Sequence, residues 1–376
     1  MWLRSALFAC LGLAVVASIE AKERIVSCYV TSSLPAAKID PLLCTHILLI
    51  GPTTLNPDGT AKMPDPKEIE PLVGLKKKNK DLKVFLTLLS PNKVISQLVL
   101  DETLMGIYVE NVTKYLVTHN VDGFDLDWEF PVWSKDAKKT DKSGLSGLLK
   151  AFRNAFDRTP KRLGLSLAVS APFTITRKAY EIEVLNKCAD FVQIMNYDFH
   201  FYAKNTPFVG INAPLFSLKY EFMILKKMNS DYSTLYWLSN GLSAEKLVFG
   251  IPTYGRAFRL LSDRFHIPYS PATGISDRFG DFVSFPQVCE ALNTTLYTRE
   301  WSDRACSPYF HGHQQWVSHE NVLSSTIKAT RAKDLNLGGI MLFSLNMDDA
   351  EGSCGFGETY PLIRAAKRAF LGEASN

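Results

Sequence analysis

Short, nearly continuous apolar runs recur along the chain, separated by stretches whose apolar residues fall at helical spacing. The runs are IVSCYV at 25–30, HILLIG at 46–51, KVFLTL at 83–88, GFDLDWE at 123–129, GLSLAVS at 164–170, FVQIMNY at 191–197, LVFGIPTY at 247–254 and GGIMLFSL at 338–345. They are rich in β-branched and aromatic residues and mostly lack polar alternation, as expected of strands buried on both faces of a parallel sheet. The stretches between them, such as Leu104 to Thr118 and Ser146 to Phe156, show one apolar face and fit crossover helices. Eight such alternations predict an α/β fold, the (β/α)8 TIM barrel, with its active site where strands give way to loops. The stretch from Gly255 to Leu337 is too long for a single crossover helix. Its first part, about 256–318, reads as a small α+β subdomain inserted between strands seven and eight, because a structureless loop of that length is rare in a compact domain.

The N-terminus breaks this pattern. Arg4 precedes an apolar run from Ala6 to Ile19, which resembles a secretory signal peptide over about residues 1–21 and is too short to span a bilayer comfortably. The mature chain, 22–376, is therefore expected to be secreted and extracellular. Hydrophobic residues at 46%, charged residues at 21% and a net charge of +4 describe a globular chain with no polybasic block and no further run of membrane length. Nucleic-acid and membrane partners are thereby disfavoured, and a monomer is expected. Once Cys10 leaves with the leader, Cys28, Cys44, Cys188, Cys289, Cys306 and Cys354 remain, an even set that suggests bridges in a secreted protein. Their spacing lacks any CxxC unit and does not choose the pairing. Sequons at Asn111 and Asn293 accord with secretion.

The strongest chemical signal is Asp122-Gly123-Phe124-Asp125-Leu126-Asp127-Trp128-Glu129-Phe130-Pro131. On a strand, residues 125, 127 and 129 share one face at a spacing of about 6.6 Å, while Phe124, Leu126 and Trp128 face the helices. Three carboxylates then line the barrel interior, where repulsion and burial hold protons on some of them at neutral pH, as a general acid requires. Glu129, nearest the strand end, is the natural acid. Carboxylate clusters also bind Mg²⁺ or Ca²⁺, but no other acids or histidines obviously converge here, so neither a metal nor a cofactor is expected. His311 and His313 flank a glycine and read as loop histidines.

The DGFDLDWEFP run resembles the D-x-x-D-x-D-x-E signature of family 18 glycoside hydrolases, the chitinases and chitinase-like lectins. The likeness extends through SCYV, LCTHI, QIMNYDFH, IPTYGRAF, QQWVSHENV and GGIMLFSLNMDD. It implies that Glu129 is the proton donor, that Asp127 orients the substrate acetamide and shares a proton with Asp125, and that Tyr197 hydrogen-bonds the same acetamide. It implies too that Tyr29, Met195, Asp198, Tyr254, Arg256, Met341 and Phe343 line the cleft around the reacting sugar. The substrate would be chitin or another N-acetylated oligosaccharide, whose own acetamide acts as nucleophile. By the same resemblance Cys28 pairs with Cys44 and Cys289 with Cys354, with Cys306 a rival partner for Cys289.

Departures from the family pattern cluster around sugar binding. Phe343 stands where the family usually has Trp, Leu89-Ser90-Pro91 replaces a Gly-Gly-Trp stretch, and the first strand's Trp is lost within Tyr29-Val30-Thr31-Ser32-Ser33. Leu49-Ile50-Gly51, Gln287 and Phe130 are further replacements. Aromatic platforms grip pyranose rings, so their loss is expected to weaken oligosaccharide binding more than proton transfer. The resemblance therefore implies a chitinase-type hydrolase, with a glycan-binding chitinase-like protein of little turnover as the alternative. Chitinase-like lectins often lose the acid, and this chain keeps it.

Overall fold

The computed structural model describes residues 24–373 apart from 57 and 59. The expected signal peptide and Cys10 lie outside the described residues. Eight parallel strands form the centre: β1 (Ile25–Thr31), β2 (His46–Leu55), β3 (Lys83–Leu88), β4 (Gly123–Asp127), β5 (Gly164–Ser170), β6 (Phe191–Met195), β7 (Leu247–Pro252) and β8 (Gly339–Phe343). Each pairs with the next, and β8 returns to β1 in the register Ile25↔Gly339 to Cys28↔Leu342, so the sheet closes into a (β/α)8 barrel. Among the described residues no helix is long and apolar enough to cross a membrane.

The strands read as continuous apolar runs because both faces are buried, against different neighbours. Outward residues such as Val26, Leu86, Phe124, Leu126, Leu165 and Ile340 pack under the helices. Inward residues form layers. The lowest holds His46 between the rings of Phe85 and Phe191, with centroids 5.5 and 5.2 Å away. Phe85 fits only because Gly123 and Gly164 lack side chains, since a Cβ on either would lie 2.4 or 2.3 Å from its ring. Burial, and then the Lys83 charge, press His46 down to a pKa of about 4, so it packs as a neutral ring. Above it Ser27, Thr87, Asp125, Ser166 and Gln193 make a polar layer, and Asp127 and Tyr197 lie nearer the mouth.

Several sequence-predicted strands overshoot. The ladder on β4 ends at Asp127, that on β6 at Met195 and that on β7 at Pro252, so Glu129, Tyr197 and Tyr254 sit just past their strands. Two helices start earlier than their apolar periodicity suggests, at Glu102 and Asp141, because their first turns are polar. Asp101 caps the former by accepting from the backbone N–H groups of Thr103 and Leu104.

The insertion begins in the strand Gly255–Leu260. Its antiparallel sheet runs in the order Ala272–Ile275, Gly255–Leu260, Gln315–Ser318, Ser307–Gly312, Thr298–Ser302, with Phe282–Val283 also paired to Gly255–Leu260 and the helix Phe285–Leu292 alongside. A disulfide from Cys289 to Cys354 ties that helix to the segment after β8, and Cys28–Cys44 ties β1 to the approach to β2. Cys188 and Cys306 are free thiols. Asn111 is in mid-helix, its amide donating to the Ile107 carbonyl, and Asn293 is exposed at a helix end.

Asp122, the first acid of the motif, is a brace at the closed end of the barrel. It accepts from Lys161 at 2.5 Å, Lys76 at 2.8 Å and the Val84 N–H at 2.9 Å. Burial alone would raise its pKa, but these three donors outweigh burial and hold it below the usual value. Its stabilising contribution is therefore present above the unfolded-state pKa and lost as pH falls through the folded one. Asp122→Ala is expected to lower the unfolding free energy by about 2–4 kcal/mol, leaving the Val84 N–H unpaired and Lys76 with only the Asn120 carbonyl as partner, as read by denaturant titration at neutral pH.

Candidate active site

Strand β4 delivers the acids in a column. Asp125 is fully buried and surrounded by donors: the Tyr29 hydroxyl at 2.8 Å and Thr87 at 3.3 Å on one oxygen, Ser166 at 2.6 Å and the Gln193 amide at 3.2 Å on the other. Burial raises its pKa and the four donors oppose that rise. Asp127, two residues on, has an Oδ1 that is buried without any hydrogen-bond partner. Burial first, then the charges of Glu129 and Asp125, push its carboxyl well above the usual range. The Asp125 charge is among the influences on Asp127, so the two carboxyls sense one another through space.

Glu129 opens into the cleft. Desolvation between the cleft walls, and after that the Asp198 charge, raise its pKa. Asp198 follows β6 in the left-handed region at φ 58°, which aspartate tolerates, and its N–H donates to Asn212 at 3.0 Å. Its carboxylate is held by the Tyr254 hydroxyl at 2.6 Å and by Arg256 through Nε at 2.8 Å and a second guanidinium nitrogen at 2.8 Å. Arg256 reaches Asp281 at 2.5 Å and lies 3.8 Å over the Phe282 ring. Asp198, Tyr254 and Arg256 thus form one ionic strap beside the acid, linking barrel to insertion.

The other expected cleft residues separate by depth. Tyr197 is nearly buried, and among the described residues its hydroxyl has only the Met341 sulfur, at 3.8 Å, as a partner. Met195 lines the cleft beside it. Tyr29 and Met341, expected to touch sugar, are 1% and 0% exposed and lie beneath the floor. Their role is support: Tyr29 donates to Asp125 and Met341 backs Tyr197. Phe343 is half-buried, its ring 5.5, 5.6 and 6.1 Å from those of Tyr29, Tyr197 and Tyr254.

The cleft beside Glu129 has a volume of about 660 Å³, in the range of ligand sites. Its walls correct the expectation of an aromatic-poor site. Phe130, Trp133, Phe199, Phe201 and Phe282 line it together with Tyr197. These rings come from the segments after β4 and β6 and, in Phe282, from the insertion. Trp133, 46% exposed beside the Lys178 ammonium, carried the clearest overlooked signal, since an exposed indole so close to the acid motif has no packing reason to be there. Gln287 belongs instead to a helix cap, its Oε1 accepting from the Ser284 N–H at 2.9 Å.

Comparison with known proteins accords with this geometry. The chain is 32% identical over 345 residues to human (Homo sapiens) chitinase-3-like protein 2, covering 88% of this chain and 86% of that one. The structure superposes on the group IV chitinase of Ostrinia furnacalis, determined in complex with allosamidin, with a TM-score of 0.87 at 30% identity over 94% of this chain and all of that one. It also resembles human YKL-39, described as a pseudo-chitinase with retained chitooligosaccharide binding, with a TM-score of 0.85 at 28% identity over 93% and 100% of the two chains. Residues 25–348 match the pattern of "Glycosyl hydrolases family 18". With a closed barrel, an acid column on the fourth strand and an inserted α+β subdomain, the chain belongs to glycosyl hydrolase family 18.

Proposed function

We propose that the chain is a secreted glycoside hydrolase cleaving β-1,4-linked N-acetylglucosamine polymers or oligomers by a substrate-assisted, retaining route. The observation that carries this reading is the buried, unpartnered Oδ1 of Asp127, set between a satisfied Asp125 and an open Glu129. A buried acceptor without a donor is costly unless a ligand fills it, and an acetamide N–H has the right chemistry. Secretion is supported by the leader-like first residues and by the two disulfides.

Two neighbouring carboxyls whose pKa values are both raised by burial and by nearby charge favour holding a proton between them. With that proton on Glu129, it passes to the glycosidic oxygen as the bond to C1 breaks. The carbonyl oxygen of the substrate's N-acetyl group forms the new bond to C1, giving an oxazolinium ion. Asp127, ionised in this state, accepts from the acetamide N–H and stabilises the positive charge, while the Tyr197 hydroxyl is free to donate to the acetamide oxygen. Glu129 then takes a proton from water, whose oxygen attacks C1 and opens the ring with net retention.

A second reading, a glycan-binding protein with little turnover, is favoured by Phe343 packed among three tyrosine rings in place of a broader indole platform and by the likeness to a pseudo-chitinase. Hydrolysis of a fluorogenic N-acetylchitooligosaccharide series, beside the same series deacetylated, separates the two. The hydrolase reading expects turnover of the acetylated series alone, a loss of at least about 100-fold in Glu129→Gln, and oligosaccharide affinity in that variant within a few-fold of the parent. Turnover that survives the substitution overturns the mechanism, and binding without turnover in the parent assigns the second reading.

The pH profile tests the ionic strap. Because the Asp198 charge raises the pKa of Glu129, Asp198→Asn removes that influence and leaves Arg256 under-compensated beside the acid, and both changes lower the Glu129 pKa. The alkaline limb of kcat/KM is expected to move to lower pH by roughly 1 unit, whatever the change in its height.

A further inference from the structure

The inserted subdomain brings together three metal-ligating side chains outside the cleft lining. Glu300 lies on the strand Thr298–Ser302 opposite Tyr309, and His311 lies two residues beyond Tyr309 on the strand Ser307–Gly312, so both side chains share one face. His311 is therefore a strand residue, not a loop one, and is 9% exposed. Trp316, opposite His311 on the third strand, donates its indole N–H at 2.8 Å to the backbone carbonyl of His266. Asp263 adds a second tie, accepting from the Gln314 N–H at 2.5 Å. These contacts hold the segment after Gly255–Leu260 over the sheet and stack the His266 ring on that of His311, centroids 3.8 Å apart and planes 13° from parallel.

Stacking alone leaves the polar atoms unexplained. His266 Nδ1 and His311 Nε2 are both buried with no hydrogen-bond partner, and Glu300 Oε1 stands 3.7 Å from His311 Nε2. One ligand atom from each of the three residues lies within 4.8 Å of the others. Buried polar atoms are nearly always paired, so two unpaired ring nitrogens at one spot with a carboxylate beside them point to a missing occupant.

We propose that His266, Glu300 and His311 form a binding site for a zinc-like divalent transition ion, with water completing a four-coordinate shell. Two imidazoles and a carboxylate suit such an ion, whereas Ca²⁺ and Mg²⁺ require oxygen ligands in larger number. Zinc holds nitrogen and oxygen at about 2.0–2.2 Å, which places tetrahedral ligand atoms roughly 3.4 Å apart. The three atoms must therefore draw inward, and the rings must splay, because two parallel planes cannot both contain one ion. His266 can make that movement: Leu261, Phe265 and Ile267 in its segment are exposed. The bound ion would clip this segment to the hairpin Thr298–Gly312 and stabilise the subdomain.

The test uses the full chain without a histidine tag, stripped with chelator and titrated with Zn²⁺ by calorimetry and thermal melting. One equivalent is expected to bind, with a rise of roughly 3–5 °C in melting temperature at a hundredfold excess of free ion over Kd. His266→Gln and Glu300→Gln are each expected to weaken binding at least about tenfold. His266→Gln alters a residue on an exposed segment and is the variant expected to fold normally. In the parent protein, Co²⁺ is expected to give the visible absorption of a four-coordinate ion, a readout that needs no variant. Absence of saturable binding, binding unchanged in His266→Gln, or an equal response to Mg²⁺ would overturn the proposal.

Discussion

The structure is organised around the cost of placing three carboxyl groups at alternate positions along one barrel strand and just past its end. Charge repels charge at this spacing, and burial penalises each ionised form, so the barrel treats the three acids differently. Asp125 is surrounded by Tyr29, Thr87, Ser166 and Gln193, contributed by four other strands. Among the described residues Asp127 Oδ1 receives no donor, and Glu129 is left to the cleft. That gradient, from satisfied to unsatisfied to open, goes with raised carboxyl pKa values in the upper pair. The buried phenols around it, Tyr29, Tyr197 and Tyr254, are pushed well above the usual range by burial first and neighbouring carboxylate charge next, so they stay neutral donors.

The insertion bears on the acid as well. Arg256 starts in its first strand, reaches back to Asp198 beside Glu129 and forward to Asp281, and is covered by Phe282. A bidentate guanidinium pair of this kind is directional, so it fixes the loop that follows β6 as well as neutralising it. The electrostatic setting of Glu129 therefore depends on a subdomain remote in sequence. The segments that carry this strap also carry Phe199, Phe201 and Phe282 of the aromatic wall, while Phe130 and Trp133 come from the segment after β4.

Much of this was legible in the chain. Strands buried on both faces keep an apolar run whatever their register, which is why eight of them stood out and the barrel followed. The acids stood out for the opposite reason, since alternating carboxylates within an apolar strand have no packing explanation. What sequence periodicity could not give was depth and distance. Tyr29 and Met341 share an inward-facing parity with Asp125 and Phe343 yet lie below the cleft, because how far up the barrel a side chain stands depends on strand stagger. Runs four, six and seven extended past their ladders because each continues into an aromatic or acidic residue, Trp128 and Glu129, Tyr197 and Tyr254, beyond the strand end. Phe201 and His266 belong to long loops whose course is set by contacts such as Trp316 with the His266 carbonyl, and no local pattern encodes those.

The measurement that tests the central claim most directly is a carboxyl-carbon NMR titration of the aspartates in the ligand-free protein, with Asp127 assigned through Asp127→Asn. The account predicts that Asp127 remains protonated well above the ordinary aspartate value of 3.8 and that its titration is coupled to that of Glu129. An Asp127 signal that titrates independently in the ordinary carboxylate range would contradict it.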